Sequence, residues 1–279
     1  MALSAEFRLD GRAAIVTGGA QGIGEGICEE LARAGAAVAI VDVQAEKAQT
    51  LAERLATAGH RSVAITADIA TEDGCRSVVM QAVRALGGLD ILVNNAAPRR
   101  NREMLGRIAG ADWTVHEQVV LQAVVHLTDA AVPHLSERGR GAVVNVSSAV
   151  GTAVAAEQCS WPYHVAKAGL DHLTRWLAFR LGKHQIRVNA VAPGLVDRDT
   201  SPRLTDNPLH RTIVNAVVPL ARAGRAVDVA RAVVFLCSDF SAYITGQVLA
   251  VDGGLGSAEV FGASLRACRA AQIGEGPTG

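Results

Sequence analysis

The chain has 279 residues, 49% apolar and 19% charged, enough to bury one large core or two ordinary ones. Its 27 Lys and Arg residues balance 27 Asp and Glu residues, so no long-range field favours nucleic acid or an acidic membrane, and a ligand must be recognised by a shaped site. Neither the cysteines, Cys28, Cys75, Cys159, Cys237 and Cys268, nor the eight histidines have metal-ligand spacing; no metal, no membrane contact and a cytoplasmic setting are expected.

The apolar run Ala13 to Val16 ends in glycines, a helical pattern follows from Ile23 to Ala34, and a second apolar run spans Ala37 to Val43, which together read as a βαβ unit. The alternation continues with helix Ala45 to Ala58, strand Ser62 to Ile65, helix Gly74 to Leu86 and strand Leu89 to Val93. A long helix is predicted from Trp113 to Leu135, then strand Ala142 to Val146, helix Tyr163 to Leu181 and strand Ile186 to Val191, stopped by Pro193-Gly194. Helix Val227 to Leu236 and strand Val248 to Val251 complete the series. Strands separated by helices imply a mostly parallel sheet covered on both faces. The expected fold class is α/β: a Rossmann-like, doubly wound parallel sheet in a three-layer αβα single domain over residues 1–256. Leu195 to Gly224 reads as a lid outside the sheet, and 257–279 as a C-terminal tail.

Between the first strand and helix lies Thr17-Gly18-Gly19-Ala20-Gln21-Gly22-Ile23-Gly24. A tight turn there aims backbone N–H groups and a helix N-terminus at a phosphate. Gly18 permits the turn, Gly22 close approach, and Gly24 close packing of helix on strand. Asp42 closes the second strand about twenty residues further on, where a carboxylate accepts hydrogen bonds from both ribose hydroxyls of NAD and repels a 2′-phosphate. Neither Gln21 nor Val43 offers positive charge, so NAD is the expected cofactor. Tyr163 and Lys167 stand four apart at the start of a helix and share a face. An ammonium beside a phenol favours phenolate, which suits the tyrosine to exchange a proton with an alcohol or ketone.

With these motifs in place, the chain from Arg8 to Gly254 resembles the short-chain dehydrogenase/reductase family. The resemblance rests on the glycine turn, Asp68-Ile69, Asn94-Asn95-Ala96-Ala97, Ser147-Ser148, Tyr163 with Lys167, Pro193-Gly194, and Thr245-Gly246 through Asp252-Gly253-Gly254. It implies that Asp68 and Ile69 sit beside the adenine, Asn95, Ala96 and Ala97 along the ribose, and Pro193, Gly194 and Val196 near the nicotinamide. By the same resemblance Lys167 holds the nicotinamide ribose, Ser148 orients the substrate with Ser147 as the fallback, and the protein is a homotetramer or homodimer acting on a small alcohol or ketone.

Some positions depart from the family pattern. The asparagine that the family carries in the helix before the fifth strand is Val120 here, with Gln118 and Gln122 two residues to either side, and two helical residues turn about 200°. Either the proton relay runs by another route, such as a shifted helix turn, or the enzyme is slow, specialised or not a dehydrogenase; the first is the expected reading. Ala97 replaces a glycine, and Arg198 a threonine for which Thr200 offers a partial replacement. A slightly long loop before Tyr163 brings Glu157, Gln158, Cys159 and Trp161 to the pocket rim. The expected function is NAD-dependent interconversion of a secondary alcohol and a ketone. A redox-neutral epimerase or dehydratase that keeps its NAD, and a non-enzymatic NAD(H)-responsive regulator, are the alternatives.

Overall fold

The computed structural model describes residues 7–98, 113–155, 159–197 and 203–257. Its sheet is built from β1 (Ala13–Thr17), β2 (Ala37–Asp42), β3 (Ser62–Thr66), β4 (Ile91–Asn94), β5 (Gly141–Val146), β6 (Ile186–Pro193) and a last strand, Val248–Val251. These pair in parallel in the order β3-β2-β1-β4-β5-β6 and then the last strand. The order reverses between β1 and β4, and the crevice at such a reversal is where doubly wound sheets bind ligands.

All five residues of β1 are buried, as expected of a strand covered on both faces. Alternate residues feed two cores. Ala14 and Val16 pack with α1 (Gly22–Arg33), α2 (Ala45–Thr57) and the helix Ala226–Cys237. Ala13 and Ile15 pack with α3 (Glu72–Leu86), α5 (Ala123–Glu137) and α6 (Trp161–Leu181). The second core is where α6 buries Ala166 and Leu170, and that contact fixes the side of the sheet on which Tyr163 and Lys167 stand.

Strand and helix ends fall one or two residues from the expected positions, where caps place them. Thr71 starts α3 by accepting a hydrogen bond from Gly74 N at 3.1 Å, two residues before the expected start. One element differs in kind. The long helix expected from Trp113 to Leu135 is three pieces: α4 (Trp113–His116), a π-helical turn over Glu117–Gln122, and α5. An extra residue in one turn leaves the apolar repeat on either side intact, so periodicity does not reveal it.

The segment expected as a lid lies outside the main sheet, with residues 198–202 outside the described residues. It carries β7 (Val196–Asp197), α7 (Pro208–Val217) and β8 (Gly224–Arg225), which pairs in parallel with β7. The helix Ala226–Cys237 is α8 and Val248–Val251 is β9. Among the described residues no helix is long and apolar enough to cross a membrane. The expected tail, apart from its first residue, and Glu157, Gln158, Arg198 and Thr200 also lie outside the described residues.

Candidate active site

The glycine turn is held by side chains that bond to backbone. Thr17 Oγ1 accepts from Asn95 N at 3.1 Å and Ala96 N at 3.2 Å. Asn95 Nδ2 donates to both Thr17 O and Gly18 O at 2.9 Å. The Asn95 amide thus secures the turn, while Ala96 is half-buried and Ala97 exposed beyond it. Gly18 has φ +60°, and a Cβ there would stand 2.9 Å from Ala96 Cα; a Cβ on Gly24 would stand 2.0 Å from Gly18 O. The turn therefore admits no side chain at either position, and Gly22 and Ile23 open α1 directly behind it.

Asp42 is 7% exposed and its carboxylate is fixed at the end of β2. Oδ2 accepts from Ala20 N at 3.1 Å and Oδ1 from Gln44 N at 3.0 Å. Val43 is exposed beside it. One cation near this position is absent from the sequence-based set: Lys47, on the first turn of α2, donates from Nζ to Gln21 Oε1 at 2.8 Å. Its place five residues past Asp42 at a helix start was the available signal. Asp68 is exposed and accepts from Ala70 N at 2.9 Å, Ile69 is buried, and Pro193 ends β6. Gly194 lies against Asp252, where a Cβ would come within 2.7 Å, and Val196 pairs with Gly224.

The two serines after β5 face different ways. Ser147 is buried and its Oγ donates to Lys167 O at 3.4 Å. Ser148 is half-buried, extended, and its Oγ accepts from Val150 N at 3.4 Å. The 3₁₀ turn that follows it, Ala149–Gly151, packs on α6, with Gly151 against Lys167 and Asp171.

Helix α6 begins at Trp161, with Pro162 preorganising its first turn. Lys167 is 2% exposed, its Nζ donates to Val146 O at 2.6 Å and lies 5.6 Å from the centre of the Tyr163 ring. Burial pushes the Lys167 ammonium down to about 8, against an opposing pull from Asp171. Two ring contacts brace the start of α6 on α4. Trp113 stacks on Trp161 at 5.5 Å, and His116 meets Tyr163 edge-on at 5.9 Å. His116 is 2% exposed and was not singled out from sequence, because its contact joins residues distant in the chain. Val120, in the π turn, is buried in the core shared with Ala166, so it brings no polar atom to Lys167.

His164 latches the rim: its Nε2 accepts from Ala155 N at 3.0 Å and its Nδ1 lies 2.9 Å from Ser160 O. Cys159 is buried, as expected of a structural thiol.

Thus the described site residues lie after the carboxyl ends of β1 to β6 or on the first turns of α6. A glycine-rich turn at a helix N-terminus and a fixed carboxylate at the next strand end form a donor and acceptor set that fits a dinucleotide.

Comparison with known proteins agrees. The family model described as Enoyl-(Acyl carrier protein) reductase matches residues 18–256. The cis-4-hydroxycyclohexanecarboxylate dehydrogenase of Sinomonas cyclohexanicum is 40% identical over 244 residues, 87% of this chain and 96% of that one. A 7α-hydroxysteroid dehydrogenase solved with NADH and 7-oxo glycochenodeoxycholic acid superposes with a TM-score of 0.81 at 31% identity, over 91% of this chain and 98% of that one. A gluconate 5-dehydrogenase from Burkholderia cenocepacia, in complex with NADP and tartrate, has a TM-score of 0.82 at 33% identity and the same coverage. The chain belongs to the short-chain dehydrogenase/reductase family.

Proposed function

We propose that the protein interconverts a secondary alcohol and a ketone with NAD(H), Tyr163 acting as acid and base. The observation that carries this reading is the buried Lys167 ammonium 5.6 Å from the Tyr163 ring. A positive charge held in a low-dielectric setting beside a phenol favours the phenolate. Tyr163 then takes the proton of the alcohol in one direction and returns it in the other. Ser148, a half-buried residue, orients the reacting oxygen with its hydroxyl. Gly18, Gln21, Gly22, Ile23, Gly24, Asp42, Val43, Asp68, Ile69, Asn95, Ala96, Ala97, Pro193, Gly194 and Val196 hold the cofactor together with Tyr163 and Lys167. When bound, the nicotinamide supplies or accepts the hydride.

Asp42 supports NAD over NADP, because its fixed carboxylate repels a 2′-phosphate. Lys47 pulls the other way, but it is exposed and screened by solvent. The similar proteins named for hydroxycyclohexanecarboxylate and gluconate, and the one solved with a bile acid, support a hydroxylated carboxylic acid as substrate.

A screen of hydroxy acids and plain secondary alcohols with NAD and NADP, read as cofactor reduction, tests all three parts. Net NADH with a hydroxy acid is expected, and Tyr163→Phe should lower kcat about a thousandfold or more while the protein still binds NAD. A preference for NADP sinks the cofactor assignment. Turnover without net NADH points to the redox-neutral alternative, and a fully active Tyr163→Phe removes the acid/base role.

A further inference from the structure

Asp171 is a buried ionisable group for which the mechanism above has no use. It stands one helical turn beyond Lys167 and two beyond Tyr163, so the three run along one face of α6. It is 4% exposed, and its Oδ1 is shielded with no hydrogen-bond partner among the described residues. Its Oδ2 lies where a Cβ on Gly151 would come within 2.7 Å. The carboxyl therefore packs against the turn that follows Ser148 and reaches that turn only because residue 151 is glycine. The Ser147 hydroxyl, 3.4 Å from Lys167 O, also reaches this carboxyl and pulls its pKa down; with one proton to give, it serves one acceptor at a time.

Burying a carboxyl with an unpartnered oxygen is costly. Here it provides the charge that a buried ammonium needs. Lys167 Nζ bonds Val146 O, and Val120 in the adjoining π turn is apolar. Asp171 is the group that raises the Lys167 pKa against desolvation.

We propose that Asp171 is a positioning residue that keeps Lys167 charged and fixes it, with the turn bearing Ser148, relative to Tyr163. The inference rests on the reading of Tyr163 and Lys167 as the catalytic pair. Among the described residues, the groups that act on the carboxyl include Lys167 and Arg175 from α6 and Ser147 from the end of β5, and those against the Tyr163 ring include Lys167 and, from α4, His116. Burial raises the Asp171 carboxyl above its usual range, and these partners pull it back. Removing its charge lets Lys167 lose its proton at lower pH. Tyr163 then loses its ammonium and becomes a phenol that ionises at higher pH. The direct repulsion between Asp171 and Tyr163 acts across two turns, about 12 Å, and is the smaller effect because Lys167 is nearer to both.

The chain has two tyrosines, and Tyr243 is fully exposed. In a Tyr243→Phe background, phenolate absorbance therefore reads Tyr163 alone, without substrate. Asp171→Asn in that background is expected to raise the Tyr163 midpoint by about one pH unit. It should also lower kcat for alcohol oxidation near neutral pH about tenfold, with KM little changed. Asp171→Glu, which restores the charge, should return the midpoint toward the parent value. If Asp171→Asn does not fold, Ser147→Ala removes the hydroxyl that holds the carboxyl ionised and should move the midpoint in the same direction. An unmoved midpoint in whichever of these two variants is folded overturns the proposal. A catalytically active Tyr163→Phe would instead overturn the acid/base reading and leave the titration result standing, so the two failures are distinguishable.

Discussion

Around the glycine turn, polar side chains are tied to backbone: Thr17 and Asn95 to the ends of β1 and β4, and Asp42 to Ala20 and Gln44. Along α6 the opposite holds. Lys167 is buried on a hydrogen bond to Val146 O, Asp171 carries an orphaned oxygen, and burial pushes both groups toward their neutral forms. The first region gains stability from the groups we propose to hold the cofactor, whereas the second gives up stability to keep ionisable groups beside the proposed acid and base. Substitution should therefore lower stability and binding together on the first side, and separate stability from activity on the second.

Lys167→Met gives the largest expected effect. It should lower kcat about a thousandfold and, combined with Asp171→Asn so that no buried carboxylate is left without its cation, raise Tm by a few degrees, because burying an ammonium is unfavourable; a lower Tm would break the comparison. The linkage has a definite sign. The folded-state pKa, about 8, lies below the ordinary lysine value of 10.5, so between these the unfolded state binds more protons and Lys167's contribution to stability rises with pH. That rise should be missing in Lys167→Met, as urea titrations across the window would show.

Gly24→Ala should cost several kcal/mol and abolish dinucleotide binding, since its Cβ would stand 2.0 Å from Gly18 O. Calorimetry and cofactor titration should fail together. Asp42→Ser should move the NADP to NAD ratio of kcat/KM upward about ten- to a hundredfold, and adding Lys47→Ala should reverse part of that gain. Val120→Asn should give the smallest effect on rate. It buries an amide at a 1% exposed site, lowering Tm by a few degrees, with kcat and its pH profile unchanged. A faster Val120→Asn would mean that the π turn restricts proton transfer.

The geometry of the glycine-turn side was largely legible in the sequence because its determinants are local. The glycine turn, the apolar runs and Asp42 lie within one βαβ unit, and their spacing carries the geometry. The α6 side was legible only along its own helix. Tyr163 and Lys167 share a face at four-residue spacing, and extending that face four residues more would have reached Asp171. The contacts of His116 with Tyr163 and Trp113 with Trp161 join segments about fifty residues apart, and local periodicity does not encode such partners. The π turn was hidden for a related reason: its extra residue falls in the run EQVVLQ, where apolar and polar residues suit either turn. Lys47 was overlooked because a lysine on the first turn of an amphipathic helix ordinarily marks its solvated face.

The buried thiols provide native probes of how each side opens. Cys28 lies beneath the glycine turn, with Sγ 3.7 Å from Gly19 O, and Cys159 is buried just before α6. Burial pushes the Cys28 thiol far above its ordinary range and raises Cys75 to about 11 and Cys237 to about 12, so these thiols are inert until the surrounding structure opens. The rate at which an alkylating reagent modifies Cys28 therefore times the loosening of the glycine turn. The rate at Cys159 times the segment that delivers Tyr163. A dinucleotide that slows the first clock without slowing the second would show that the two sides breathe as separate cooperative units.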